Sequence, residues 1–178
     1  MTGSGFTEFD TTLRDGRTVH VRAIRAADEA EILQAFDRMS DDARYMRFMR
    51  SVREVNVERL RHALASFPES GMGIMATVPA ADGIDIVGSA VFFIGSDAPK
   101  TCEFAINVDS AFGGAGLAST LMRTLIGLAG KRGLEEMEGF VLAANPPMLR
   151  LARRLGFNIA FDPDDPSVRI CRLPLGTR

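Results

Sequence analysis

Apolar and polar side chains trade places along this chain in two rhythms. Residues 18–23 (Thr-Val-His-Val-Arg-Ala) alternate, which predicts a strand with one face turned inward. From Asp28 the spacing lengthens, and Ile32, Leu33, Phe36 and Met39 fall along one side of a helix. Ser40 and Asp41 then offer a cap for a second helix over residues 42–49, and residues 57–65 repeat the helical spacing. Residues 72–78 and 84–93, parted by Pro79-Ala-Ala-Asp-Gly83, read as a strand pair.

In residues 101–108 the alternation returns. Cys102, Phe104, Ile106 and Val108 share one face of this strand; Glu103, Ala105 and Asn107 share the other. A glycine-rich turn follows and runs straight into a helix predicted over residues 116–131, with Leu117, Leu121 and Leu125 at helical spacing and Met122, Ile126 and Ala129 beside them. Gly133 closes that helix. Residues 137–142 read as a strand, Asn145-Pro-Pro147 starts a helix that ends at Gly156, and residues 158–161 and 168–173 make a last strand pair. No repeat or linker interrupts this order. One mixed α+β or α/β domain over residues 1–178 is expected, with a flexible tail of about ten residues at its start.

Composition narrows the class. A hydrophobic content of 46% and a charged content of 25% are ordinary for a globular protein, and no apolar run reaches transmembrane length. The first ten residues lack a basic segment followed by an apolar one, so no signal peptide is expected. Cys102 and Cys171 sit in strand-like apolar contexts without metal-ligand spacing, which fits buried thiols in a reducing compartment; a cytoplasmic location and no metal are the expectations. The net charge of −2 gives no support for nucleic-acid binding. Arg44, Arg47, Arg50, Arg53, Arg59 and Arg61 cluster in the first third, either as a solvated helical face or as a surface for an acidic substrate or for phosphates.

The turn Asp109-Ser-Ala-Phe-Gly-Gly-Ala-Gly-Leu-Ala-Ser119 is the strongest chemical signal. Glycines feeding a helix N-terminus present free N–H groups and the positive end of a helix dipole, an arrangement suited to phosphate or pyrophosphate. It is neither a P-loop, since Leu117 and Ala118 follow Gly116 in place of Lys and Ser or Thr, nor a dinucleotide fingerprint, since Ser119 occupies the third glycine position. A plain tight turn is the competing reading. Glu103 reads either as a surface carboxylate or as a general base tuned by partial burial. Asn145 is either a helix cap or an amide that bonds a ligand lying between strands. His20 and His62 receive no role, and no nucleophile–histidine arrangement can be drawn.

In the order strand, glycine loop, helix, strand and Asn-led helix, the chain resembles the GNAT superfamily of acetyl-CoA-dependent N-acetyltransferases. Phe112-Gly-Gly-Ala-Gly-Leu-Ala118 occupies the place of that family's Gln/Arg-x-x-Gly-x-Gly/Ala loop, and Asn145 to Phe157 matches its Asn-led helix ending in Gly-Phe. A closer resemblance is to the bacterial protein-lysine acetyltransferases, through Leu13-Arg-Asp-Gly-Arg17, Val21-Arg-Ala-Ile-Arg25, residues 40–48 and Cys102-Glu-Phe-Ala-Ile-Asn-Val108. There are departures: Gly113 stands where Gln or Arg is usual, Ala115 where a basic residue is common, and Ala152 where many relatives carry a tyrosine acid.

The resemblance implies a mixed, mostly antiparallel sheet of six or seven strands flanked by about four helices. It implies acetyl-CoA as co-substrate, held by Gly113, Gly114, Ala115, Gly116, Leu117, Ala118 and Ser119 at the pyrophosphate and by Ile106, Asn107, Val108 and Asn145 along the pantetheine arm. Glu103 is then the general base toward a primary amine, foremost a protein lysine. The alternatives are a small-molecule amine acceptor or a catalytically silent acyl-CoA-binding module. No nucleic-acid or membrane partner is expected, and the state is a monomer or homodimer.

Overall fold

The computed structural model describes residues 5–49 and 54–176. Its strands are β1 (Phe9–Thr12), β2 (Thr18–Ala23), β3 (Gly71–Ala80), β4 (Gly83–Gly95), β5 (Ala98–Val108), β6 (Glu136–Leu142), β7 (Asn158–Phe161) and β8 (Val168–Pro174). The helices are α1 (Glu29–Asp37), α2 (Asp41–Phe48), α3 (Val57–Ser66), α4 (Leu117–Lys131) and α5 (Pro146–Arg154). All eight strands join one sheet in the order β1-β2-β3-β4-β5-β6-β8-β7.

Every neighbouring pair is antiparallel except β5 and β6, which α4 connects as a parallel crossover. Among the described residues the sheet thus has eight strands where the resemblance implied six or seven, and five α-helices flank it where about four were expected. The additional strand is β1. Only Phe9 in Phe-Asp-Thr-Thr is strongly apolar, so periodicity gives it little signal; its order comes from backbone pairing with β2. Phe9 and Asp10, assigned to the expected tail, begin this strand.

The alternation in β5 separates two layers. Cys102 and Phe104 are buried on the side covered by α4, whose Leu117, Leu121, Met122 and Leu125 are all at or below 1% exposure. Burying side chains of that size stabilises by about 1.5–3 kcal/mol each. Gly88 of β4 allows this close approach, because a Cβ there would meet Leu121 at 3.0 Å and Leu117 at 3.2 Å. The other face carries α1, α2 and α3, with Phe36 and Leu64 buried toward the sheet. Asp28 ties this layer down: it accepts from both terminal nitrogens of Arg22 at 2.7 and 2.9 Å and from the Arg25 N–H at 2.7 Å.

The second half of the chain follows its sequence pattern closely. Asn145 caps α5 by accepting from the Met148 N–H, with Pro at the first turn. Ser40 caps α2 through the Ala43 N–H, and Asn56 caps α3 through the Arg59 N–H.

Candidate active site

The site begins where two strands part. β5 and β6 pair over only three rungs, Thr101–Glu136, Cys102–Met137 and Glu103–Glu138. Beyond Glu103, β5 continues to Val108 and β6 to Leu142 without pairing to one another. Residues 104–108 stay bonded to β4 on one side, from Phe104 opposite Phe92 to Val108 opposite Gly88. Their other edge is an open row of N–H and C=O groups lining a fork. Phe104 fills its base: its ring lies over Gly139 of β6, where any Cβ would overlap it, and packs edge-on against Phe157 with centroids 5.3 Å apart.

Glu103 stands on the last closed rung of this fork. It is exposed, on the face of the sheet that bears α1–α3, in a row with Phe93 of β4 and Glu138 of β6. Partial desolvation, then the like charge of Glu138, push its pKa above the usual carboxylate value, while Arg47 of α2 pulls it down. Glu138 is itself paired to Arg172 of β8 at 3.3 Å.

At the far end of β5 the chain makes a 3-10 turn (Ser110–Phe112) capped by Asp109 and enters α4 through Gly113–Gly116. Gly113 has an ordinary extended backbone (φ −69°, ψ 152°). Gly114 at φ +74° and Gly116 at φ +91° occupy the left-handed region that favours glycine. Among the described residues, the N–H groups of Gly114, Ala115, Gly116, Leu117, Ala118 and Ser119 donate to no protein acceptor; the helical ladder begins with Thr120 N–H to Gly116 C=O at 3.1 Å. Six consecutive free donors leading into a fifteen-residue helix make a cradle whose chemistry suits an anion. Strands rise about 3.3 Å per residue, so the end of β5 at Val108, where the turn toward this loop begins, lies on the order of 17 Å from Glu103.

Asn145 is an N-cap, its side-chain oxygen engaged with Met148. The arginine cluster is no uniform solvated face: Arg44 donates to the Phe36 carbonyl at 3.0 Å and lies over its ring, and Arg47 is half-buried beside Phe48 and within electrostatic reach of Glu103. Arg61 pairs with Glu29 at 3.0 Å, and Arg59 is exposed. Arg50 and Arg53 lie outside the described residues. Ala152 is fully buried in the core, and the only tyrosine, Tyr45, is on α2. Cys102 and Cys171 are buried, and burial lifts their thiols to about 12 and about 11.

Two features have no counterpart in the sequence reading. One is a cavity of about 450 Å³ between the sheet and α1–α3, lined by apolar groups including Phe36, Met39 and Leu60, with Phe93, Asn107 and Arg47 in its wall. The other is the turn between β1 and β2, which packs on the glycine loop. Arg17 donates to the Ala111 carbonyl at 2.8 Å and stacks on Phe112, and the Arg14 backbone N–H donates to the Ala115 carbonyl at 3.1 Å. Leu13-Arg-Asp-Gly-Arg17 carried a family signature in the sequence, but one hundred residues separate Arg14 from the loop it meets. Among the described residues, no group of three or more His, Cys, Asp or Glu could hold a metal ion, and no helix is long and apolar enough to cross a membrane.

A crossover helix entered through a loop of free N–H groups, beside a strand that forks from its parallel neighbour, defines a mixed α/β fold with one open strand edge. Residues 18–158 match the family model for the acetyltransferase (GNAT) domain, and the chain belongs to that family of acetyltransferases. It is 31% identical over 164 residues to the acetyltransferase PA5475 of Pseudomonas aeruginosa, spanning 92% of this chain and 88% of that one. The GNAT domain of S. lividans PAT has the same fold, with a TM-score of 0.83 at 23% identity over 94% of this chain and 96% of that one. Salmonella typhimurium yncA, whose structure holds its cofactor acetyl-CoA, gives 0.68 at 19% identity over 90% of this chain and 95% of that one. The cAMP-binding acyltransferase of Mycobacterium smegmatis gives 0.65 at 23% identity over 96% of this chain, which spans 48% of that protein.

Proposed function

We propose that this chain transfers an acetyl group from acetyl-CoA to a primary amine, with a protein lysine as the acceptor and Glu103 as the general base. The observation that carries this reading is the single strand β5: it bears a carboxylate at the apex of an open fork and delivers the chain into a cradle of free N–H groups at its other end. A pantetheine arm lying along the open edge at Ile106, Asn107 and Val108 joins two such points, with pyrophosphate on residues 113–119 and the thioester near Glu103. The residues present fit the cofactor: the fork supplies unpaired strand groups and the loop supplies donors without bulky side chains.

In the reaction, Glu103 accepts a proton from the acceptor ammonium. This step matters because an unperturbed lysine, with a pKa of about 10.4, is almost wholly protonated at neutral pH. The free amine nitrogen bonds to the acetyl carbonyl carbon, and the carbon–sulfur bond then breaks with its electron pair leaving on the CoA thiolate, which takes up the second proton that the nitrogen sheds as the amide forms. Strand N–H groups at the fork stabilise the charge that develops on the carbonyl oxygen. A thiolate needs little assistance to leave, so a buried alanine at position 152 is compatible with turnover. The desolvation and like charge that raise the Glu103 pKa make it a stronger base than a free carboxylate.

The small-amine reading has one observation in its favour, the cavity on the Glu103 face of the sheet, whose walls can enclose a compact acceptor. Steady-state assays with acetyl-CoA against lysine-bearing peptides and small amines separate the two acceptor classes. Glu103→Gln is expected to lower kcat by 10²–10⁴-fold while acetyl-CoA binding, measured by calorimetry, changes little. Equal rates for parent and variant from pH 6 to 9 would remove Glu103 from the mechanism and favour a different base, whereas CoA binding without turnover by the parent would favour the silent binding module.

A further inference from the structure

The loop over residues 113–119, Gly-Gly-Ala-Gly-Leu-Ala-Ser, has no cation of its own. The fold brings one from elsewhere. We propose that Arg14, in the turn between β1 and β2, supplies the positive charge of the pyrophosphate site; the inference rests on the acetyl-CoA reading above.

Two hydrogen bonds fix Arg14 on the loop. Its backbone N–H donates to the Ala115 carbonyl at 3.1 Å and its Nη2 donates to the Gly114 carbonyl at 3.2 Å, which leaves its Nε 3.4 Å from where a Cβ on Gly116 would stand. The turn that carries it is held by Leu13, which is buried at 5% exposure and whose N–H donates to the Arg17 carbonyl at 2.7 Å. These bonds occupy loop carbonyls rather than the loop N–H groups, and they set a guanidinium against Gly114 and Gly116.

Of the other cations near the loop, Arg17 is held by Asp15 at 2.5 Å and by the Phe112 ring, while Arg123, on the second turn of α4, donates to the Ser119 hydroxyl at 3.2 Å and, among the described residues, to no loop carbonyl. Arg14 is exposed and, among the described residues, has no carboxylate partner. One of its five N–H donors serves Gly114, which leaves the others available to phosphate oxygens. The positive charge that the loop sequence lacks is here placed by tertiary contact.

The test is calorimetric titration of the full chain with CoA and with dephospho-CoA, at low and high salt, for the parent, Arg14→Gln and Arg14→Lys. Arg14→Gln is expected to bind CoA about tenfold more weakly at low salt, the size of one charge-assisted contact. The gap should narrow as salt screens the exposed charge, and Arg14→Lys should recover part of it. The same loss is expected with dephospho-CoA, because the contact is to the pyrophosphate. In steady state the change falls on the KM for acetyl-CoA more than on kcat.

Unchanged affinity in Arg14→Gln would overturn the proposal. So would a salt-independent loss that lysine does not restore, which marks a side chain that only braces the loop. A loss that disappears with dephospho-CoA would move Arg14 to the 3′-phosphate and overturn it as well. A parent protein that takes up no CoA at all would bring down the acetyl-CoA reading itself, a result distinct from each of these.

Discussion

Glu103 shows how much a single side chain depends on what lies across the sheet from it. Its neighbours on the same rung are Phe93 and Glu138, and Arg47 reaches it from α2. Desolvation and Glu138 both favour its protonated form, so its pKa lies above that of an ordinary glutamate. A general base works only as the carboxylate, so kcat/KM is expected to fall as pH drops through that raised value. Glu138→Gln removes the like charge and should move this acid limb to lower pH. Arg47→Gln removes the opposing charge and should move it to higher pH. A pH profile of kcat/KM for parent and both variants checks the signs; shifts of the limb in the reverse directions would mean that another group titrates.

At the scale of elements, the loop before α4 is where backbone conformation decides what can be substituted. Gly116 sits at φ +91° with Arg14 against it, so Gly116→Leu meets both a strained backbone and an occupied space. It is expected to abolish measurable CoA binding by calorimetry. Gly113, three residues earlier, has φ −69°, and a Cβ there finds only the Ser110 carbonyl at 3.4 Å. Gly113→Arg should therefore fold normally and tighten CoA binding by about tenfold, as one added charge-assisted contact does. Unchanged affinity at low salt in a well-folded Gly113→Arg would mean that a side chain at this position does not reach the phosphates.

For the whole molecule, the fork and the cradle are joined by one strand and one crossover helix, so a ligand that spans them ties β5, β6 and α4 together. Binding to the native state alone stabilises by RT ln(1 + [L]/Kd), about 2.7 kcal/mol when the ligand stands at one hundred times its Kd. For a chain of this size each kcal/mol raises the melting temperature by roughly 2–4 °C. Saturating acetyl-CoA is therefore expected to raise Tm by roughly 5–10 °C in differential scanning fluorimetry. An equal concentration of pantetheine, which lacks the pyrophosphate, should raise it far less.

The order of elements was legible because each carries its own local signal. Alternation marks β2 and β5, helical spacing and Gly133 mark α4, and Asn145-Pro-Pro147 marks the start of α5; these depend on side-chain direction and caps within a few residues. The glycine loop was legible for the same reason, since a strand that runs through glycines into a helix exposes N–H groups whatever surrounds it. β1 was not, because four residues with one strong apolar position gain their order only by pairing with β2. The fork between β5 and β6 was not legible either, since the point at which two parallel strands separate is set by packing, here by Phe104 over Gly139, and leaves no periodic trace. Nor could sequence spacing reveal that Arg14 lies on the loop at Gly114, or that Arg47 and Glu138 bracket Glu103. Charges act through space over a few ångströms, and only the folded chain decides which of them come that close.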